Sequence, residues 1–304
     1  MKKRNTTKLW LVILTVIMIS TLLPLSVSAD IGPKASVRVE IDNLGDALCY
    51  GTLLSEKPST GPQSAWDGNE DHINNYDLDI DIWRAFAEYE DTDGYYFLQI
   101  AWNVSERGEI AWTYYPPNRF KILLYFPETD TFAVSGIYEK YAFDTYYTVD
   151  MNGANIDSVE YDSERSTDER IEAYRSYNYR MELLSLAARI VITIAIEMLV
   201  ALLFGFRKKK ELLLLIVVNT ITQIGLNILL NVVNFSSGEW AAVFWYVICE
   251  IFVFAVEAVL YCKLMRRLSD KPHSNGFYVL YAFIANAISF ASGLVVAHLI
   301  PGIF

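Results

Sequence analysis

Histidine and cysteine are scarce in this chain, three of each among 304 residues. His72, His273 and His298 are far apart and fall outside the polar positions of the apolar segments. No metal site and no cofactor are expected from them. Cys49 is the only cysteine in the first half, and Cys249 and Cys262 share one apolar segment. No disulfide within the N-terminal domain is available, which fits a bacterial envelope better than a disulfide-rich secretory protein. Hydrolase signatures are missing too: there is no Gly-x-Ser-x-Gly, no His-Glu-x-x-His and no Ser-x-x-Lys. A hydrolytic mechanism needs an activated nucleophile or a metal, so enzyme readings start weak.

Basic residues are few where nucleic-acid binding would need them. Residues 30–180 carry 29 Asp/Glu against 12 Lys/Arg, a net charge of −17, and residues 181–304 carry +2. A phosphate backbone requires a basic face, so nucleic acid is excluded as a partner. The second half is too apolar for a soluble domain. The chain is divided.

Residues 1–8 are basic through Lys2, Lys3, Arg4 and Lys8, and an apolar run extends from Leu9 to Leu25. Ser26-Val27-Ser28-Ala29 supplies the small residues a signal peptidase reads, so residues 1–29 are expected to be a signal peptide, with an uncleaved anchor as the alternative. Four further apolar segments follow, roughly Leu183–Phe206, Leu212–Phe235, Trp240–Leu264 and Phe277–Ile300. Each has the ~20 residues needed to cross a bilayer, so the lipid bilayer is an expected partner. Arg207-Lys208-Lys209-Lys210 joins the first two spans, and Lys263, Arg266, Arg267 and Lys271 lie between the last two. The Asn234–Glu239 connection and the tail beyond Ile300 have no Lys or Arg. The positive-inside rule places both basic loops in the cytoplasm and the acidic domain and C-terminus outside.

The sequence therefore predicts an α+β protein in two parts: an extracytoplasmic antiparallel β-sandwich over residues 30–163, then, after a helical stalk over residues 164–182, a four-helix transmembrane bundle over residues 183–304. Val37, Val39 and Ile41 alternate with Arg38, Glu40 and Asp42, and Leu78, Ile80 and Ile82 with Asp77, Asp79 and Asp81. Tyr95–Val104, Arg119–Phe126 and Thr145–Val149 are rich in the aromatic and β-branched residues strands prefer. Residues 57–70 read as a long loop. Asp91-Thr92-Asp93-Gly94 and Pro127-Glu128-Thr129-Asp130 supply turns. The first of these, and Asp67-Gly68-Asn69-Glu70-Asp71, look calcium-like, but neither has the spaced EF-hand pattern. Sixteen of the 20 tyrosines lie in residues 30–180, either as half-buried strand residues or as a surface that stacks on sugars or peptides. Ser166-Thr167-Asp168-Glu169 is a capping box that opens the predicted stalk.

The spans are not plain anchors. Arg189, Thr193 and Glu197 recur every fourth residue in the first, as do Asn219, Gln223, Asn227 and Asn231 in the second. Glu250 and Glu257 are seven apart in the third, which puts both on one face, and Ala282, Asn286, Ser289 and Gly293 form a small-polar seam in the fourth. A charge at mid-bilayer costs roughly 2.5–3.5 kcal/mol on insertion scales, so the carboxylates should face the bundle interior. Polar side chains that only glue helices contribute about 0.6 kcal/mol on average. That accounts for Asn231 or Thr222 better than for Glu250 and Glu257, since neutral residues bond as well. Glu197, Asn219, Gln223, Glu250, Glu257, Asn286 and Ser289 are thus candidate ligand- or ion-binding residues.

This pattern resembles an uncharacterised family of bacterial polytopic membrane proteins. Its members carry a Glu in one helix, Asn-x-x-Thr in the next, two Glu in the third and Ser/Ala-x-x-x-Asn-x-x-Ser-x-x-x-Gly in the last. The matching positions are Glu197, Asn219 with Thr222, Glu250 with Glu257, and Ala282, Asn286, Ser289 and Gly293. The exported segments Gly32–Ser36, Tyr50–Ser55 and Ser59–Pro62 are similar to those of Gram-positive proteins. At Thr222-Gln223-Ile224 the chain departs from the Thr-His-Pro or Thr-Asn-Pro of many relatives, which removes a helix break and a histidine. The resemblance implies no activity.

Three functions compete. The first is an envelope receptor or transport-related protein whose polar chamber binds a cation, a proton or a small polar ligand. The second is an intramembrane enzyme using Glu250 or Glu257 as acid/base. The third is a membrane anchor displaying a binding module, for which four spans are more than enough. Four helices make a small transporter, so a homo-oligomer or a membrane partner subunit is expected.

Overall fold

The computed structural model describes residues 34–74, 78–152, 171–269 and 272–299. The expected signal peptide and the Ser166–Glu169 capping box lie outside these residues. The β part comprises β1 (Ser36–Asp42), β2 (Tyr50–Ser55), the small hairpin β3 (Ser59–Thr60) and β4 (Gln63–Ser64), then β5 (Trp102–Asn103), β6 (Glu109–Trp112), β7 (Arg119–Phe126), β8 (Thr131–Val134), β9 (Tyr138–Glu139), β10 (Asp144–Asp150) and β11 (Ala173–Arg175). Two helices, α1 (Ile80–Glu88) and α2 (Val104–Arg107), interrupt the strands.

One sheet runs β11-β10-β1-β6 and the other β5-β2-β7-β8, with β9 also on β7. Pairing is antiparallel except for β1 and β10, which run parallel from Ser36 opposite Asp144 to Asp42 opposite Asp150. The alternation on β1 sets its inward face: Val37, Val39 and Ile41 are buried against Leu53, Ile122 and Leu124 of the facing sheet. Gly51 belongs to this interface, where a Cβ would lie 2.7 Å from Ile110 Cδ1. On the reverse side of the second sheet, Leu54, Leu123 and Tyr125 meet Trp83 and Phe86 of α1. Both faces of β7 are therefore covered. That is why Lys121–Phe126 reads as a continuous buried run and not an alternating one.

Three expectations need correction. The alternation over Leu78–Ile82 is not a strand. Asp79 accepts from the Asp81 N–H as an N-cap, and Trp83 and Phe86, three apart, give the segment a helical buried face. Of Tyr95–Val104 only Trp102–Asn103 is strand, and Asn103 caps α2 directly afterwards. The stalk over 164–182 does not hold at its described end. Ala173–Arg175 pairs with β10, so the edge of the first sheet captures residues that carry no helix breaker. The helix begins only at Tyr179, where Asn178 accepts from the Met181 N–H.

Four long helices follow: α3 (Tyr179–Leu203), α4 (Lys209–Ser237), α5 (Glu239–Leu268) and α6 (Asn275–Leu299). All four contain a stretch long and apolar enough to cross a membrane. Each packs against the next and α6 closes on α3, which makes a four-membered ring. Large apolar residues such as Leu199, Ile221, Ile251 and Phe283 face outward. Glutamate, asparagine and tyrosine face inward. A soluble bundle would show the reverse, and a bilayer accounts for it.

The β part sits on the α4–α5 end of the bundle. Phe143 N–H donates to Phe235 O at 2.9 Å, and the rings of Tyr141 and Tyr177 lie 6.4 and 5.9 Å from that of Phe235. Gly238, at φ +85°, joins α4 to α5 beneath the Phe143 ring. Arg207–Lys210, Lys263, Arg266 and Arg267 are exposed at the opposite end.

Candidate functional site

The α5 helix places Glu257 on the bundle axis, fully buried. Thr222 Oγ1 of α4 donates to Glu257 Oε1 at 2.7 Å, and Asn286 Nδ2 of α6 donates to Oε2 at 2.8 Å. Asn286 also donates to Ala282 O at 2.9 Å, one turn back on its own helix, which fixes the amide orientation. From α3, Glu197 enters the same interior, only 1% exposed, and interacts electrostatically with Glu257. Asn219 of α4 faces both the Glu197 carboxylate and the Tyr261 hydroxyl without reaching hydrogen-bond geometry to either. Tyr281 Oη donates to Glu197 O at 3.4 Å and its ring lies 5.6 Å from that of Tyr261.

Every helix of the ring thus contributes to one polar cluster. Among the described residues, both Glu197 oxygens, both ends of the Asn219 amide, Tyr261 Oη and Asn286 Oδ1 are buried with no hydrogen-bond partner. Buried polar atoms are normally paired, and an unpaired one costs about 1–3 kcal/mol. Six such atoms gather in one interior, with Asn219 between Glu197 and Tyr261. Five of them are oxygens, the donor type that hard cations prefer.

The other singled-out residues are placed differently. Glu250 is half-buried, about two turns nearer the β part, and turned toward Tyr246. Gln223 and Ser289 line a separate pocket on the β side of the cluster, together with Arg189, Asn227 and Tyr246. Tyr281 carries no ligand signal in the sequence. Tyr261 does follow Glu257 by four, the spacing that puts two side chains on one helical face. At the basic end, Phe206 stacks on Tyr278 and lies edge-on to Tyr281, which closes the cluster with aromatic rings.

The acidic turns of the β part have protein partners. Lys121 Nζ lies 2.8 Å from Asp91 Oδ1 and 2.5 Å from Asp93 Oδ2. Burial opposes the Lys121 charge, but the two carboxylates outweigh it and hold its ammonium above the ordinary lysine range. Asp67 binds His72 Nδ1 at 2.8 Å, which lowers its pKa. No group of three or more His, Cys, Asp or Glu residues forms a metal site among the described residues. The tyrosines divide: Tyr147 is buried in the sandwich core, while Tyr96, Tyr115 and Tyr174 are exposed.

No protein family, curated protein or solved structure matches this chain.

Proposed function

We propose that this is a multi-pass protein of the cell membrane, an envelope receptor or transport-related protein, whose intramembrane chamber binds a cation, a proton or a small polar ligand. Residues 1–29 direct export, and the β-sandwich and the C-terminus lie outside the cell. The observation that carries the reading is the meeting of Glu197 and Glu257 with Asn219, Tyr261 and Asn286 inside the ring, several of their oxygens unpaired. Carboxylates are expensive in a bilayer and are retained where they do something neutral residues cannot. The orientation is supported by the basic loops, which lie at the end of the bundle opposite the β part. Contact between the β part and the α4–α5 connection gives an outer ligand or partner a path to the bundle.

The test is a reconstituted one. Protein in liposomes loaded with a pH-sensitive dye is given a sodium, potassium or proton gradient, beside protein in nanodiscs titrated with the same cations. Cation-dependent stabilisation or gradient-driven flux, lost in Glu257→Gln, is the expected result. A wild type that responds to no cation and moves no proton contradicts the cation and proton readings.

A further inference from the structure

The two acids of the cluster are supported unequally. Both Glu257 oxygens take a donor, one from Thr222 and one from Asn286. Neither Glu197 oxygen does, although the side chain is buried to the same degree. Among the described residues no basic side chain pairs with Glu197. Arg189, eight residues earlier on the same helix, is about 12 Å away along the axis. The groups that face Glu197 are Glu250, Glu257 and Tyr261 of α5, Asn219 of α4 and Tyr281 of α6. The unpaired oxygens of the cluster are therefore one whole carboxylate and three neutral atoms: Asn219 Oδ1, Tyr261 Oη and Asn286 Oδ1. Asn286 cannot turn to pair its oxygen without giving up the bonds its Nδ2 makes to Glu257 and Ala282.

We propose that the cluster holds one dehydrated alkali cation, with Glu197 as its charged ligand, the oxygens of Asn219, Tyr261 and Asn286 as neutral ligands, and the Glu257 charge beside it. The inference rests on the reading of the chamber as a cation site and names the class of cation. A proton on Glu197 could satisfy an oxygen or two, whereas a metal ion meets several oxygens at once. Calcium takes about six to eight oxygens and magnesium keeps several of its waters. The unpaired oxygens here number five, and Glu197, Asn219 and Tyr261 are at most 1% exposed, which suits an ion that sheds its water. With Glu257 held by two donors, the charge left without an offset is the single one on Glu197. A monovalent ion matches it.

Full-length protein in phosphatidylcholine nanodiscs is titrated at fixed pH with lithium, sodium and potassium chloride, and separately with magnesium and calcium chloride. Choline chloride at matched ionic strength is the control, and unfolding temperature is followed. Saturable stabilisation by an alkali cation is expected, with none from magnesium or calcium. Glu197→Gln should raise the half-saturating concentration at least about tenfold, since it removes a buried charge that pairs with the ion. Tyr261→Phe removes an unpaired hydroxyl and keeps the ring. It should be at least as stable as wild type in choline chloride and yet bind the alkali cation more weakly, a split that a purely structural hydroxyl would not give. It also stands in if Glu197→Gln does not fold. Saturable stabilisation by magnesium or calcium in place of the alkali cations leaves the cation reading standing and overturns this inference. An alkali response unchanged in Glu197→Gln and Tyr261→Phe, or a chamber that moves protons but answers to no metal cation, does the same. A protein that responds to no cation and moves no proton overturns both.

Discussion

Asn286 Nδ2 donates to Glu257 Oε2 at 2.8 Å across the α5–α6 contact, while Asn286 Oδ1 is buried without a partner. The amide thus serves the carboxylate with one end, and its other end lies buried within the polar cluster. Asn286→Ala removes the donor and leaves Glu257 short of a bond. It should destabilise the bundle by about 1–2 kcal/mol, measured by denaturant unfolding in micelles. Asn286→Asp keeps the shape but adds a third acid, and should be less stable than wild type where all three ionise.

Lys121 bridges Asp91 and Asp93, and both Lys121 and Asp91 are nearly fully buried. Lys121→Met strands a buried carboxylate and should cost the β part about 3 kcal/mol. The pH dependence has a definite sign. The folded-state pKa of Lys121 is raised, so its contribution is complete below the unfolded value and is lost as pH rises through the folded one. Wild type should therefore lose stability above about pH 10 more steeply than Lys121→Met, as read by chemical denaturation.

Gly238 sits at φ +85°, and a Cβ there would lie 2.6 Å from the Phe143 ring. Gly238→Ala is strained twice, by backbone and by contact. Hydrogen exchange over Tyr141–Tyr147 should accelerate in this variant, and Phe143→Ala should relieve only the contact part. Exchange rates equal to wild type would show that the β part is not seated on the α4–α5 connection.

Cys49 is fully buried, and burial pushes its thiol up to about 12. It should resist maleimide in the folded protein and react after unfolding. Cys49→Ser should leave the fold intact, since no disulfide depends on it.

Legibility in the sequence followed physical simplicity. β1 and β7 were visible because alternation and β-branched runs reflect which faces are covered. α1 reads as a strand because the five residues from Leu78 to Ile82 fit a period of two; the Asp79 cap is hidden within that alternation, and the Trp83–Phe86 spacing lies just beyond it. β11 was invisible, since three residues on a sheet edge are held by a distant strand and not by their own propensity. Nor did anything local announce that β1 and β10 run parallel. In the bundle, the insertion cost of Glu197 and Glu257 marked the helix faces that meet. Tyr261 is marked by its place four residues beyond Glu257 on the same face, whereas nothing marks Tyr281, because tyrosine is ordinary in a membrane helix. The division of the polar residues into an acidic cluster and an Arg189 pocket required three dimensions.

Orientation has a direct check. Reporter fusions within Arg207–Lys210 and at Lys271 should read cytoplasmic, and fusions at Gly238 and Phe304 external. An external signal from the Arg207–Lys210 loop would reverse the assignment.

We infer that Glu257 is a binding group and not helix glue. Its sharpest measurement is the cation-dependent shift in unfolding temperature of Glu257→Gln beside wild type, in the same nanodiscs. Glutamine keeps the size and an acceptor oxygen for Asn286 Nδ2, and its amide N–H can donate to Thr222 Oγ1, while the charge is removed. If Glu257 binds the cation, the variant is at least as stable as wild type and no longer responds to the cation. A variant whose cation response equals that of wild type would contradict it.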